Sequence, residues 1–118
     1  YLLDMCWTYE KDKPAVNWIE VAFEIEWSRD LDSILGEFSK LLDIKAYTKV
    51  LLCLPKVDEV DDLVRQASEM IRYNPFRFPE EHYLLIMINE TKKRLFINGT
   101  VLNSLGNTIT LKSSEFPR

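Results

Sequence analysis

The sequence predicts an α/β fold, a central mixed β-sheet flanked by helices, and three observations carry that expectation. Residues 19–26 alternate, with Ile19, Val21, Phe23 and Ile25 on one side and Glu20, Ala22, Glu24 and Glu26 on the other, which is the period of a strand. Leu31, Ile34, Leu35, Phe38, Leu41 and Leu42 then recur at the spacing of one amphipathic helix stripe. Residues 50–54 follow as the unbroken apolar run VLLCL, the pattern of a strand buried on both faces. Strand, helix and strand in that order make a right-handed crossover unit with parallel strands.

At 118 residues the chain has the size of a single domain with one core. With 47% apolar and 29% charged residues it has neither a disordered nor a membrane profile, and no apolar run approaches the roughly 18 residues that cross a bilayer. A formal charge of −4 argues against a surface built for non-specific phosphate binding, which asks for a basic stripe. An enzyme that clusters acids around a metal is compatible with it. No basic-then-apolar signal segment opens the chain, and Cys6 and Cys53 both lie in apolar strand-like runs. Two buried free thiols in a cytoplasmic, reducing compartment are therefore expected.

Taken in order, residues 1–9 read as a strand that sets Asp4 among apolar neighbours, where an acid needs a partner. Residues 10–14 form a charged turn ending in Pro14, and residues 15–27 return antiparallel. Simple pairing symmetric about Asp12 sets Asp4 opposite Glu20; a bulge or a longer loop moves it toward Ala22 and Glu24. Ser28, Arg29 and Asp30 supply a cap for the first helix, and Gly36 inside that helix suggests close packing against the sheet. Residues 57–73 read as a second helix, apolar at Val60, Leu63, Val64, Ala67, Met70 and Ile71. Its early acids suit the helix dipole. Phe76 and Phe78 in the following loop read as tucked against the core edge. Residues 82–89 form another apolar strand, residues 94–102 a hairpin turning at Asn98-Gly99, and residues 107–112 a short edge strand before a frayed tail.

The chemistry lies in the acids of the second strand. Glu24 and Glu26 point the same way, with Cβ atoms roughly 6–7 Å apart by strand geometry, close enough to share a cation or a proton. The plain alternative is a solvated strand face. An acid on one strand, a hairpin, a Glu-x-acid pair on the next strand, a crossover helix and a buried parallel strand resemble the core of the PD-(D/E)XK nuclease superfamily, the restriction-endonuclease-like fold. The resemblance covers roughly residues 1–55, with the family's preceding helix and first strand expected before Tyr1. It implies a metal-dependent endonuclease acting on DNA, with Asp4 and Glu24 as ligands of Mg²⁺ or Mn²⁺ and the Ile25 carbonyl as a third. Glu26 stands where the family usually has lysine, as third acid or water-positioning group. Some members carry the lysine on the following helix, which makes Lys40 the candidate, although helical geometry turns Lys40 toward solvent and leaves Glu37 nearer the acids.

The missing lysine and the acidic charge keep a second reading open: a catalytically inactive domain of the same fold serving as a protein-interaction or assembly module, as a homodimer or with another protein. Other classes have less behind them. His82 reads as structural, two cysteines and one histidine make a poor zinc set, and Gly36, Gly99 and Gly106 form no phosphate loop. Trp7, Trp18 and Trp27 read as packing residues.

Overall fold

A computed structural model describes residues 5–9 and 18–117. The strands are β1 (Met5–Tyr9), β2 (Trp18–Glu26), β3 (Ala46–Cys53), β4 (His82–Glu90), β5 (Arg94–Asn103) and β6 (Thr108–Pro117), and the helices are α1 (Leu31–Leu42) and α2 (Val60–Arg72). The strands form one six-stranded sheet in chain order. β2, β3 and β4 are mutually parallel, and β1, β5 and β6 each run antiparallel to their neighbour. The α/β class and the mixed sheet are therefore as predicted.

Two side-chain rows run across the helix side of the sheet: Ala22, Lys49, Tyr83 and Leu102, then Glu24, Leu51, Leu85 and Thr100. α1 lays Ile34, Phe38 and Leu41 on this face, and α2 adds Leu63, Ala67 and Ile71. The two helices also touch each other, so both lie on the same side. Among the described residues, "flanked by helices" thus holds for one face only. Strands that advance in one direction through right-handed crossovers set each connecting helix on the same side.

Local chemistry accounts for the helix ends. Asp30 caps α1, its Oδ2 accepting from the Ser33 backbone N–H at 3.1 Å. A 3₁₀ turn, Val57–Glu59, leads into α2, whose first turn carries Asp61 and Asp62. Gly36 is exposed, and a Cβ there would meet nothing within 4 Å. Close packing against the sheet is not its reason. Phe76 is 80% exposed, whereas Phe78 stands edge-on to Tyr47 with centroids 6.0 Å apart, so only one of the two aromatics tucks in.

The hairpins also differ from the expectation. β5 runs straight through Asn98 and Gly99, which lie opposite Met87 and Ile86. The chain turns instead at residues 91–93, where the Thr91 hydroxyl accepts from the Arg94 N–H at 3.1 Å, and at residues 104–107. In the second turn the Asn103 carboxamide oxygen accepts from the N–H groups of Leu105 and Asn107, both at 3.0 Å. Gly106 there has φ +81°, the one positive φ among the described residues. β6 reaches Pro117, paired with Arg94, so the tail belongs to the sheet.

Gly106 also fastens this turn to α2. The Ser68 hydroxyl donates to its carbonyl, and a Cβ at Gly106 would come within 2.5 Å of the Ser68 carbonyl oxygen. Gly106→Ala combines a left-handed backbone with that clash and is expected to destabilise the fold by about 2 kcal/mol or more. Urea unfolding measures it, and an unchanged midpoint would contradict the fastening role.

Candidate functional site

β2 brings Glu24 and Glu26 to the helix side, as its alternation predicts. Glu24 is 1% exposed, so the solvated-face alternative does not describe it. Its ladder neighbour is Leu51 on β3. Glu26 is half-buried at the end of the strand, and its Oε1 accepts from the Ser28 N–H at 2.9 Å. That bond turns its carboxylate toward the start of α1.

The β1–β2 pairing departs from simple symmetry about Asp12. Met5 lies opposite Phe23, Cys6 opposite Ala22 and Trp7 opposite Val21, with a register shift between Trp7 and Thr8. The alternative of a bulge or a longer loop is the one that occurs: Tyr9 already lies opposite Trp18, and the shift at Trp7 adds one residue more. Asp4 lies outside the described residues. Cys6 is exposed and Cys53 buried, both free, so only one of the two thiols meets the expectation of burial. Trp27 is 68% exposed beside the acid pair instead of packing, and the side chains of Trp7 and Trp18 lie outside the described residues.

On α1, the Lys40 ammonium donates to both oxygens of Glu37, at 2.9 and 3.1 Å. Its side chain keeps 36% exposure and that of Glu37 keeps 20%, so the pair occupies a half-buried flank of the helix. Lys40 therefore does not stand free in solvent as the helical wheel suggested. A flexible four-carbon stem lets its head group reach back across the helix surface.

The strongest electrostatic feature was not visible in the sequence. Lys49 on β3 and Glu81 just before β4 form an ion pair at 2.9 Å, each side chain 1% exposed. The Tyr83 hydroxyl accepts from Lys49 at 3.2 Å and donates to the other Glu81 oxygen at 3.1 Å, closing a three-membered network. The Lys49 ammonium also lies 5.0 Å from the centroid of the Tyr83 ring. Burial lowers the affinity of Lys49 for its proton, while the Glu81 hydrogen bond and charge, and then the Asp43 charge, act the other way. Burial, followed by the charge of Glu81, raises the Tyr83 phenol above its ordinary value. A lysine inside the apolar stretch 48–54 was the available signal, because a buried ammonium requires a carboxylate.

A separate groove of about 440 Å³ runs between α2 and the helix-side surface of β4, β5 and β6. Val60, Val64, Met87, Phe96 and Leu111 line it with Asn98. The acids of β2 are not part of it. His82 is exposed, its Nδ1 lying 3.1 Å from the Glu80 carbonyl. Among the described residues no three His, Cys, Asp or Glu side chains gather as a metal site. Among the described residues no helix is long and apolar enough to cross a membrane. No protein-family model matches the chain, and no curated protein matches its sequence.

Two outcomes test this electrostatic picture. Glu81→Ala strands the buried Lys49 ammonium and is expected to cost about 3–5 kcal/mol in urea unfolding, with Lys49→Met in the same chain recovering part of the loss. Burial pushes the Cys53 thiol from its ordinary 9.0 up to about 12. The unfolded chain gives up that proton first, so this group's stabilising effect is lost as pH rises from 9 toward 12. Tyr83 acts in the same direction and Lys49 in the opposite one. At pH 8 a thiol reagent is expected to modify Cys6 rapidly and Cys53 only on unfolding; equal rates would contradict the burial.

Proposed function

We propose that this chain is a metal-dependent nuclease-like domain that hydrolyses phosphodiester bonds in DNA, with a restriction-endonuclease-like core. The observation that carries the reading is Glu24, a carboxylate buried on the helix side of β2, the strand that pairs antiparallel with β1 and feeds the crossover helix α1. A hard divalent cation suits a carboxylate there.

In this reading Asp4 and Glu24 hold Mg²⁺ or Mn²⁺. Asp4 precedes Met5, whose backbone pairs with Phe23, the residue before Glu24. The donor chemistry fits, since carboxylate oxygens with the Ile25 carbonyl are the ligands such an ion prefers. Bound there, the ion would lower the pKa of a coordinated water and offset charge on the transferring phosphate. Glu26, at the usual lysine position and already oriented by the Ser28 N–H, orients the water and accepts its proton. Lys40, charged and held by Glu37, supplies the cation that the strand lacks.

A second reading, a catalytically inactive domain of the same fold acting as an interaction or assembly module, is favoured by the sheet face that neither helix covers. The two separate cleanly. Mn²⁺-dependent cleavage of plasmid and single-stranded DNA is expected from the full chain. Glu24→Gln and Asp4→Asn should each lower the rate by more than about 100-fold, beyond the cost of losing an outer-shell partner of a metal. Lys40→Ala should lower the rate while leaving Mn²⁺ affinity by titration unchanged. A folded wild type that neither cleaves nor binds Mn²⁺ would overturn the nuclease reading.

A further inference from the structure

The two helices cover their side of the sheet only in part. β6 is exposed along its whole length, so the helix layer ends before it, and the groove between α2 and strands β4, β5 and β6 lies at that step. Its volume of about 440 Å³ falls within the roughly 300–1,000 Å³ of small-molecule sites. Its walls are apolar, with Val60 and Val64 from α2, Met87 from β4, Phe96 from β5 and Leu111 from β6. Thr100 lies in the floor, between Leu85 and Leu111 in the sheet. It is 1% exposed, and its hydroxyl has no hydrogen-bond partner among the described residues. The neighbouring carboxamides of the floor are engaged: that of Asn89 donates to the Pro55 carbonyl, and that of Asn98 accepts from the Ser113 hydroxyl at 2.7 Å.

We infer that this groove binds a small, uncharged, largely apolar molecule that presents one hydroxyl or carbonyl oxygen to Thr100. A hydroxyl buried without a partner has given up its hydrogen bonds to water and gained none in return. A ligand oxygen restores one, because a threonine hydroxyl both donates and accepts and its hydrogen turns to suit either case. Size follows from the volume. An apolar cavity of about 150 Å³ takes one benzene ring, so a groove of about 440 Å³ has room for a two-ring molecule.

Charge settles the ligand class. Asp61 is the one charged residue of the lining among the described residues, with no lysine, arginine or histidine beside it. Asp58, Glu59 and Asp62 stand close by in sequence, where the 3₁₀ turn enters α2. That gathering of acids opposes the attraction a helix start otherwise exerts on an anion. A carboxylate or phosphate therefore meets repulsion, whereas an uncharged oxygen needs only the Thr100 hydroxyl. The inference is independent of the nuclease reading, since Glu24, Glu26 and Lys40 do not line the groove.

The test is a titration of the ¹⁵N-labelled full chain with 2-naphthol and with 2-acetylnaphthalene, up to about 1 mM, followed by amide chemical shifts. Both probes are expected to bind and to shift amides within residues 57–64, 96–100 and 108–113. The anion 2-naphthoate should bind at least about 10-fold more weakly. Thr100→Val keeps the branched shape and removes the hydroxyl; it should weaken 2-naphthol about fivefold, the worth of one hydrogen bond, and leave 2-methylnaphthalene unchanged. Its urea midpoint should be no lower than that of the wild type, because the hydroxyl it loses has no partner in the free protein. Absence of shifts in these residues with both uncharged probes overturns the inference, as does 2-naphthoate binding as tightly as 2-naphthol. So does a Thr100→Val chain that unfolds at lower urea or binds 2-naphthol like the wild type. A failure of DNA cleavage leaves these outcomes unmoved.

Discussion

Right-handed crossover connections set the plan of this molecule. Because β2, β3 and β4 are parallel and advance in one direction, α1 and α2 must both cross on the same side of the sheet. Everything else depends on that asymmetry. It buries Ala22, Leu51, Leu85 and Met87 beneath the helices, draws Glu24, Lys49 and Glu81 into the same layer, and leaves Phe23, Leu52 and Ile86 outside it. One topological constraint thus separates a helix-covered face from one that neither helix covers, and it does so on strands whose residues alternate without knowing which side will be covered.

The helix-covered face is unusual in how it handles charge. Its core is closed by apolar side chains, yet Lys49, Glu81 and Tyr83 sit within it fully hydrogen-bonded to one another. Such a network ties the entry of β4 to β3 more specifically than apolar contact would, since each member satisfies the other two. Glu24, on β2 beside β3, is a second buried acid of the layer. The division of labour is spatial: Lys49 and Glu81 serve the beginnings of the parallel strands, while Glu24 and Glu26 stand toward the end of β2.

Much of the architecture was legible because it is written in local periods. The alternation of β2, the stripe of α1 and the apolar runs of β3 and β4 each lie within a short window, and each element appears where its period indicates. What was not legible depends on distant pairing. Lys49 meets Glu81 and Tyr83 across 32 and 34 residues, separations that no helical or strand period encodes. Asn98-Gly99 has the chemistry of a tight turn, yet it is held in a straight ladder between β4 and β6, with the Asn98 carboxamide oxygen accepting from Ser113 at 2.7 Å. The two acids of β2 could be assigned to one side from the sequence, but the burial of Glu24 comes from α1 folding back over it. The half-buried Lys40–Glu37 pair escaped for a smaller reason, since a helical wheel describes Cβ directions and not the reach of a long side chain.

The fastening of Gly106 to Ser68 also gives the β5–β6 hairpin a direction of opening. Its turn is anchored to α2, while its far end, where Arg94 pairs with Pro117 and meets Glu115 at 3.2 Å, is exposed. Fluctuations therefore start at the free end and die out toward the turn, so the hairpin frays like a zipper closed at one end, and the last rungs to part are those beside α2.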